Sequence, residues 1–280
     1  MKTAHLIATL CLAGVLAACS NYSAVQKSTD PYFKYEAAKE FYVRGHYSRA
    51  ADLLNQVLPA LRGTEVGEEA LFMHGLATLH ARDYEAAATI LKKYIDDFPR
   101  GRYNEQAYYN CAMAYYKNVP EVKLDQTSTY DAIRTFSAFL ENYPRSPLAN
   151  DAREKMFELQ DQLIEKEWLS AKLYYDLGSY FLNCSSGGSN YQACITTAEN
   201  ALRDYPYMKR REDFLFLILQ AKFDLADQSV LSRREERLAD AIEEYKNFID
   251  EFPTSSRRQL ADQLYNKHTR HVQISTDSDN

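Results

Sequence analysis

The sequence predicts an all-α protein, folded as a right-handed superhelical solenoid of about five helix pairs. Gly and Pro are scarce, with 9 and 8 copies in 280 residues, and this composition favours helix. One spacing of small, apolar and proline residues recurs along the chain, which is the signature of a stacked repeat architecture. An amphipathic stretch lies upstream of each copy, so each repeat is predicted to be a pair of helices.

The chain begins with a segment that predicts export. Lys2 is followed by an uncharged apolar run from Leu6 to Val15 and by small residues ahead of Cys19, the order of a cleaved signal peptide. The run is about half of the roughly 20 residues that a spanning helix needs. Residues 1–18 are therefore predicted to be removed. An ordinary secretory signal with a chance cysteine is the alternative.

The Leu-Ala-Ala-Cys string that ends at Cys19 resembles the bacterial lipobox, which implies a diacylglyceryl group on the Cys19 thiol. Ser20 stands where lipoproteins retained in the inner membrane usually carry Asp, so the resemblance implies the outer membrane. Residues 19–30 are polar and without periodicity, and are predicted to be a lipidated flexible tether. Apart from this covalent lipid we expect no cofactor and no metal.

The charge of the chain excludes one class of partner. The net charge is −6, and loss of Lys2 with the signal peptide leaves −7. Such a chain has no strong basic field to attract nucleic acid. No later segment has the apolar length of a transmembrane helix, so the lipid is the expected contact with the membrane.

The repeat places a small residue, two apolar residues and a proline at steps of four, three and five. The first two steps put three side chains on one helical face, and the proline ends the helix. The copies are Ala87, Leu91, Tyr94, Pro99; Ala132, Phe136, Phe139, Pro144; Cys194, Ala198, Ala201, Pro206; Ala241, Tyr245, Phe248, Pro253; and the partial Ala50, Leu54, Val57.

Each unit is predicted to be helix, turn, helix and proline, with turns at Gly45-His46-Tyr47 and Arg82-Asp83-Tyr84. This unit is similar to the tetratricopeptide repeat, and it covers about Pro31 to Ser256. A single pair cannot bury its apolar face alone, so the pairs are expected to stack and to leave a concave side.

Several segments depart from the repeat. Asn118 to Thr129 is predicted to be an insertion in the third pair, and Leu182 to Asn190 a Gly/Ser-rich loop. Pro147 to Phe181 is predicted to be one long helix. Arg257 to His271 should form a capping helix, followed by a frayed polar tail from Val272 to Asn280.

The first helix of each pair is expected to line the concave side, and tyrosine suits an extended peptide because it offers area and a hydroxyl at small entropic cost. About half of the inward positions are expected to fill gaps between helices instead. The inward positions are Tyr32, Tyr35, Tyr42, Phe72, Leu79, Tyr109, Met113 and Tyr116.

Three cysteines remain in the body after Cys11 and Cys19 are set aside: Cys111, Cys184 and Cys194. Cys184 and Cys194 flank the Gly/Ser-rich loop, and an oxidising periplasm would permit a disulfide between them. Two small apolar residues in separate helices are the alternative, because connectivity cannot be deduced from sequence.

Three short strings of residues point to one family among proteins with such repeats. They are Asp125-Gln126-Thr127, the Tyr143-Pro144-Arg145-Ser146-Pro147 string with Ala149 and Ala152, and Tyr205-Pro206. With the lipobox and five helix pairs, the chain resembles the BamD family of outer-membrane assembly lipoproteins. The resemblance implies a non-catalytic subunit of the β-barrel assembly machine, whose partners are unfolded outer-membrane proteins and the central barrel subunit.

The resemblance also implies a division of labour along the chain. Residues 31–144, repeats 1–3, would hold the groove for the targeting peptide of an unfolded barrel protein. Residues 145–256, repeats 4–5, would dock on the central subunit, and residues 257–280 would be the cap and tail. The chain departs from the family at Leu182 to Asn190, where a tight turn is usual.

A basic string in the C-terminal half, Lys209-Arg210-Arg211, is the candidate docking site, since arginines pair with carboxylates through charge-assisted bonds. Solvated charge near a helix end is the alternative. His268 and His271 lack a third metal ligand, and His74 and His80 are expected to be packed residues or groove lining.

Other function classes fit the sequence less well. The chain has no phosphate-binding glycine motif, no Gly-x-Ser-x-Gly and no His-Glu-x-x-His, so an enzyme and a small-molecule substrate are not expected. The main alternative is a general periplasmic repeat lipoprotein that scaffolds cell-wall or envelope complexes. A glycan-binding outer-membrane lipoprotein should be far longer and carry inserted loops.

Overall fold

The computed structural model describes residues 22–178 and 189–277, and these residues form helices and loops without a strand. Consecutive helices pack against each other from α2 to α7 and again from α9 to α11, which confirms the all-α, paired-helix prediction. The helices are α1 (22–27), α2 (Pro31–Val43), α3 (Tyr47–Leu61), α4 (Gly67–His80), α5 (Tyr84–Asp97), α6 (Asn104–Lys117), α7 (Thr127–Asn142), α8 (Ala149–Asp176), α9 (Asn190–Asp204), α10 (Arg211–Asp227), α11 (Leu231–Glu251) and α12 (Arg258–Asp277).

The repeated spacing supplies the core of the second helix in each pair. In α5, the Ala87, Leu91 and Tyr94 side chains are fully buried, and their counterparts in the other second helices are buried as well. The one exception is Tyr245, which is half-buried and donates a hydrogen bond to Asp262 Oδ1 at 2.6 Å. The alanine at the start of the spacing lets the neighbouring helix approach closely.

Four of the five second helices, α5, α7, α9 and α11, end at an aromatic residue followed by proline, whereas α3 ends at Leu61 with Arg62 as its C-cap. Phe98, Tyr143, Tyr205 and Phe252 are the C-caps, each with a φ between −124° and −129° and a backbone N–H that donates to the carbonyl four residues earlier. The proline disfavours the α region at the residue before it. The carbonyl of each aromatic C-cap then accepts a turn hydrogen bond from the N–H three residues later, so the loops after these four helices start in the same way.

The turns within the first two pairs also match. The Gly45 N–H donates to the Tyr42 carbonyl and the Arg82 N–H to the Leu79 carbonyl, both at 3.0 Å. Gly45 has a φ of 78° and Arg82 a φ of 68°. Glycine adopts this left-handed conformation freely, whereas an L-residue such as arginine loses about 1–2 kcal/mol.

The chain divides into two compact units between Leu159 and Gln160, inside α8. In the first unit, Leu159 packs in a core cluster with Phe136 and Phe139. In the second unit, the Trp168 ring lies edge-on to Phe214, with centroids 5.4 Å apart. Helix α8 begins two residues after Pro147 and ends at Asp176, within the range predicted for one long helix.

The C-terminal helix α12 packs against α10 and α11, with Ala261 fully buried in a cluster that contains Phe223 and Phe248. It continues to Asp277, past Val272, where we expect a frayed tail. The sequence after Arg257 contains no Gly or Pro to end a helix earlier. None of the helices in the described part of the chain combines the length and the apolar character needed to cross a membrane.

Candidate functional site

The structure brings three of the predicted groove residues together on one surface of the first unit. Tyr109, Met113 and Tyr116 project from α6 towards residues of α8. We call this the α6–α8 surface, and it consists of Tyr109, Met113, Tyr116, Asp151, Lys155 and Glu158.

Two phenol–carboxylate hydrogen bonds join the helices across this surface. The Tyr109 hydroxyl donates to Asp151 Oδ2, and the Tyr116 hydroxyl donates to Glu158 Oε2 at 2.5 Å. Lys155 lies between them, with its Nζ 2.6 Å from Asp151 Oδ1 and 5.6 Å from the centroid of the Tyr116 ring. Every polar group named here therefore has a partner within the protein.

The floor of the α6–α8 surface is aromatic. The Tyr109 ring lies edge-on to Phe136 and Phe139, with centroids 6.2 and 5.6 Å apart. The Tyr116 ring lies edge-on to Phe136 at 6.5 Å. Both phenylalanines are fully buried, so they fix the tyrosine rings while leaving part of each ring in contact with solvent.

The ionisation of these groups follows from the hydrogen bonds. The ammonium of Lys155 and the hydroxyl of Tyr109 hold the pKa of Asp151 below its ordinary value. The hydrogen bond to Glu158, together with burial, raises the pKa of Tyr116 to about 12, and burial followed by the bond to Asp151 raises that of Tyr109. At neutral pH the surface therefore presents an ionised Asp151 and two protonated phenols.

Sequence reasoning missed Asp151, Lys155 and Glu158. A signal was present, because residues four and seven apart share a helical face, and the step from Asp151 to Glu158 equals the step from Tyr109 to Tyr116. Two helices side by side with equal steps can pair both residues at once.

Three of the other predicted positions are core residues. Tyr35 is 1% exposed, and Phe72 and Leu79 are each 6% exposed. The Phe72 ring stacks on Tyr103 of the next pair, with centroids 4.7 Å apart and an interplanar angle of 3°. These side chains are held between neighbouring helices, so they do not offer a ligand surface.

The remaining two positions lie on α2. Tyr32 is 52% exposed. Tyr42 is half-buried and packs edge-on against Tyr47 and His80, at centroid distances of 5.3 and 5.8 Å. Tyr32 is therefore the one residue of α2 among the predicted set that presents most of its side chain to solvent.

A family model described as "Outer membrane lipoprotein", named YfiO, matches residues 28–185 of the chain. This is more than half of its length. The chain belongs to the YfiO family of outer membrane lipoproteins.

Curated relatives of this YfiO-family chain carry the name outer membrane protein assembly factor BamD, which confirms the resemblance to that family. The protein from Caulobacter vibrioides is 26% identical over 176 residues, 60% of this chain and 58% of the relative. The protein from Rickettsia prowazekii is 27% identical over 128 residues, 46% of this chain and 51% of the relative. The protein from Pasteurella multocida is 23% identical over 169 residues, 57% and 65%. The chain thus spans between half and two thirds of these relatives.

Solved structures of helical-repeat proteins are more distant. The TPR2AB domain of yeast Sti1, in a complex with pHSP90, has a TM-score of 0.40 and 15% identity, covering 86% of this chain and 98% of that one. The nearly identical TPR-like repeats of a kinesin light chain from Podosopora anserina have a TM-score of 0.33 and 13% identity, covering 79% of this chain and 95% of that one. Likeness at this level identifies no function.

The Asp125-Gln126-Thr127 string of this YfiO-family chain fastens the insertion in the third pair. Gln126 is 2% exposed, and its Nε2 donates to the carbonyls of Glu121, Val122 and Leu124 at 2.9, 3.3 and 3.2 Å. Its Oε1 accepts a 2.7 Å hydrogen bond from the hydroxyl of Thr129. Asp125 Oδ1 accepts from the Thr127 N–H at 3.0 Å. The motif therefore ties the loop to the start of α7.

The predicted docking cations are largely paired within the second unit. Arg211 forms two hydrogen bonds with the carboxylate of Glu251, at 2.5 and 3.2 Å. Arg210 lies 2.8 Å from Glu165 Oε2 and 5.5 Å from the centroid of the Trp168 ring. The side chain of Lys209 is 91% exposed and 3.9 Å from Asp161 Oδ2. Lys209 is thus the member of this string that projects furthest into solvent.

Cys19, the predicted lipid attachment residue, and Cys184 lie outside the described residues. Cys194 is fully buried in α9, and its predicted disulfide with Cys184 stays a prediction. His74 is buried, and burial lowers its pKa to about 4. Within the described ranges, no three His, Cys, Asp or Glu side chains form a candidate metal site.

Proposed function

We propose that this chain is a subunit of the β-barrel assembly machinery of the outer membrane. It would be held at the periplasmic face by a lipid on Cys19, and it would bind unfolded barrel proteins and the central barrel subunit. The observation that carries the proposal is the family match over residues 28–185, together with relatives named as outer membrane protein assembly factors.

The α6–α8 surface is the proposed contact for the targeting peptide. Its tyrosine rings offer apolar area on a rigid floor, and the carboxylate oxygens of Asp151 and Glu158 would accept hydrogen bonds from peptide N–H groups. Aromatic side chains with a polar group are enriched at protein interfaces for this reason. Since the surface includes α8 residues up to Glu158, the proposed peptide-binding half extends beyond residue 144.

The second unit is the proposed docking half, with Lys209 as its most exposed cation. A carboxylate of the partner would gain a charge-assisted hydrogen bond there. Arg210 and Arg211 would first have to exchange their carboxylates Glu165 and Glu251, so they are proposed to position the loop. In this proposal the chain acts by binding, and it carries out no catalysis and needs no cofactor beyond the lipid.

The test is affinity purification of the lipidated protein from detergent-solubilised outer membranes. We expect the central barrel subunit to be recovered with the parent and with Tyr116→Ala, and a cross-linker at position 113 to capture unfolded barrel protein. Capture should fall for Tyr116→Ala and persist for Tyr130→Ala, a truncation of an exposed tyrosine outside the surface.

Two outcomes would contradict the proposal. Recovery of cell-wall factors in place of the central barrel subunit would favour the alternative, a periplasmic scaffold lipoprotein. Equal capture of barrel protein by Tyr116→Ala and the parent would remove the α6–α8 surface from the binding site. A Cys19→Ala chain should remain folded and leave the membrane fraction.

A further inference from the structure

A cavity of about 390 Å³ opens at one end of the first unit, where α2 turns into α3 and α4 turns into α5. Its polar lining consists of His46, Tyr47, Ser48, Arg49, His80 and Arg82. The lining includes two arginines and two histidines and no carboxylate. In a chain of net charge −6, such a lining favours an anionic ligand.

The side chains of the lining suit a phosphate group. His80 stacks on the Tyr47 ring, with centroids 4.9 Å apart and an interplanar angle of 28°, so the imidazole is held by the cavity wall. Arg82 and His46 are exposed. Guanidinium N–H groups form short, strong hydrogen bonds with phosphate oxygens, and an imidazole N–H can donate to the same oxygens.

The conformation of Arg82 supports the same conclusion. Its φ of 68° puts it where Gly45 stands in the preceding pair. A left-handed conformation in a residue with a side chain is uncommon, and such residues cluster at ligand sites. The strained conformation of Arg82 places its guanidinium in the lining of the cavity.

The start of the described chain lies at the same end of the unit. Tyr22 donates a 3.3 Å hydrogen bond to Asp52 Oδ2 on α3, and the Arg49 guanidinium lies 5.3 Å from the centroid of the Tyr22 ring. Cys19 precedes Tyr22 by three residues, which span at most about 11 Å because an extended chain covers roughly 3.6 Å per residue. A lipid on Cys19 would therefore bring the cavity to the bilayer surface.

We propose that this cavity binds the phosphate of a phospholipid headgroup in the membrane that anchors the chain. The inference rests on the proposed lipid attachment at Cys19. It adds a second, non-covalent contact with the membrane, which orients the first unit with the α2–α3 and α4–α5 turns towards the bilayer.

The test uses the mature chain, residues 19–280 with Cys19→Ala, so that binding depends neither on the lipid nor on the apolar run of the signal peptide. Co-sedimentation is measured with vesicles of phosphatidylglycerol and phosphatidylcholine at about 0.1 M salt, where the Debye length is about 10 Å. We compare Arg49→Gln/Arg82→Gln with the charge-matched control Arg100→Gln/Arg145→Gln. Arg100 and Arg82 are separated by the length of α5, about 21 Å at 1.5 Å per residue.

We expect the cavity variant to bind the vesicles about fivefold more weakly for each arginine removed, and the control to bind like the parent. If the double variant unfolds, vesicle binding is measured with Arg82→Gln alone. This substitution is at an exposed position, so the variant should remain folded and bind about fivefold more weakly. Equal losses in cavity and control variants would overturn the proposal, as would no vesicle binding by the parent.

A separate arm titrates inorganic phosphate while the imidazole signals of His46 and His80 are followed by NMR. Saturable shifts with phosphate but none with vesicles would assign the cavity to a free anion and overturn the lipid assignment. Because the anchor is absent from these experiments, their failure is distinguishable from failure of the assembly role, which the affinity purification tests.

Discussion

The hydroxyl of Tyr116 on α6 donates a 2.5 Å hydrogen bond to Glu158 on α8. Two helical turns earlier on both helices, Tyr109 and Asp151 form the same kind of contact. The two contacts together fix the register of α6 and α8, because a shift by one turn would break both. Both hydrogen bonds hold the tyrosine hydroxyls, so the ring faces of Tyr109 and Tyr116 are the parts left to contact a ligand.

The Tyr116 contact predicts a stability change at alkaline pH. The pKa of Tyr116 is raised from 10.0 to about 12 in the folded protein. A raised folded-state pKa contributes stability that is fully present below the unfolded-state value, about 10, and is lost as the pH rises towards 12. The free energy of unfolding of the parent should therefore fall more steeply than that of Tyr116→Phe over this range.

Urea denaturation at a series of alkaline pH values measures this difference. Tyr130→Phe on α7, which removes the hydroxyl of an exposed tyrosine, is the matched control and should follow the parent. Parallel curves for the parent and Tyr116→Phe would show that the hydrogen bond to Glu158 contributes nothing in solution.

Gly75 of α4 predicts a stability loss on gaining one methyl group. A Cβ at this position would lie 2.6 Å from Leu91 Cδ2 and 2.7 Å from Cγ, and Leu91 is fully buried. Gly75→Ala should gain about 1 kcal/mol of helix propensity but lose about 1–3 kcal/mol through overpacking. We expect net destabilisation, measured by thermal or urea unfolding.

A double-mutant cycle with Leu91→Ala checks the cause. Leu91→Ala alone should cost about 2–5 kcal/mol through the cavity it leaves. If the methyl of Gly75→Ala clashes with Leu91, the double variant should be more stable than the sum of the two single effects. If the changes in the free energy of unfolding are strictly additive, the destabilisation by Gly75→Ala does not come from a clash with Leu91.

Gln126 predicts a local effect on the insertion. Gln126→Ala leaves three loop carbonyls and the Thr129 hydroxyl without their partner, and should cost about 1–3 kcal/mol. Hydrogen exchange should accelerate in residues 121–129 first. Lys123→Ala, at an exposed position of the same loop, should leave both measurements unchanged, and a matching loss there would assign the effect to general loop sensitivity.

The buried cysteines predict slow modification in the native state. Burial raises the pKa of both the Cys111 and the Cys194 thiols to about 12, and the thiolate is the reactive form. In the mature chain, residues 19–280 with Cys19→Ala, the cysteines are Cys111, Cys184 and Cys194. Iodoacetamide at pH 8 should label neither Cys111 nor Cys194 before unfolding. In urea without reductant, labelling of Cys111 alone would support the proposed Cys184–Cys194 disulfide, and labelling of all three would contradict it.

The second helix of each pair was predictable from sequence because it has one buried face. Ala132, Phe136 and Phe139 recur at the spacing of a single helical stripe, and all three are fully buried. The aromatic-proline ends were predictable for a similar reason, since a proline restricts its predecessor wherever it occurs. Both signals lie within one helix or at its end, so they can be recognised without knowing which helices pack against it.

The first helices were harder because they pack against both the pair before and the pair after. In α4, the Phe72, His74 and Leu79 side chains are all buried, so apolar residues cover more than one side of the helix. Sequence alone does not distinguish a residue that faces the next pair from one that faces a ligand. The partners of Tyr109 and Tyr116 on α8 lie 42 residues away, beyond any local pattern.

The hydrogen bonds of Gln126 have a consequence for how the insertion can evolve. Its amide contacts main-chain carbonyls of Glu121, Val122 and Leu124, which every amino acid supplies. Substitutions within the loop should therefore leave these hydrogen bonds intact. Insertions or deletions would move the carbonyls out of reach of the Gln126 amide. Related proteins that keep the glutamine should differ in the amino-acid sequence of this loop and agree in its length.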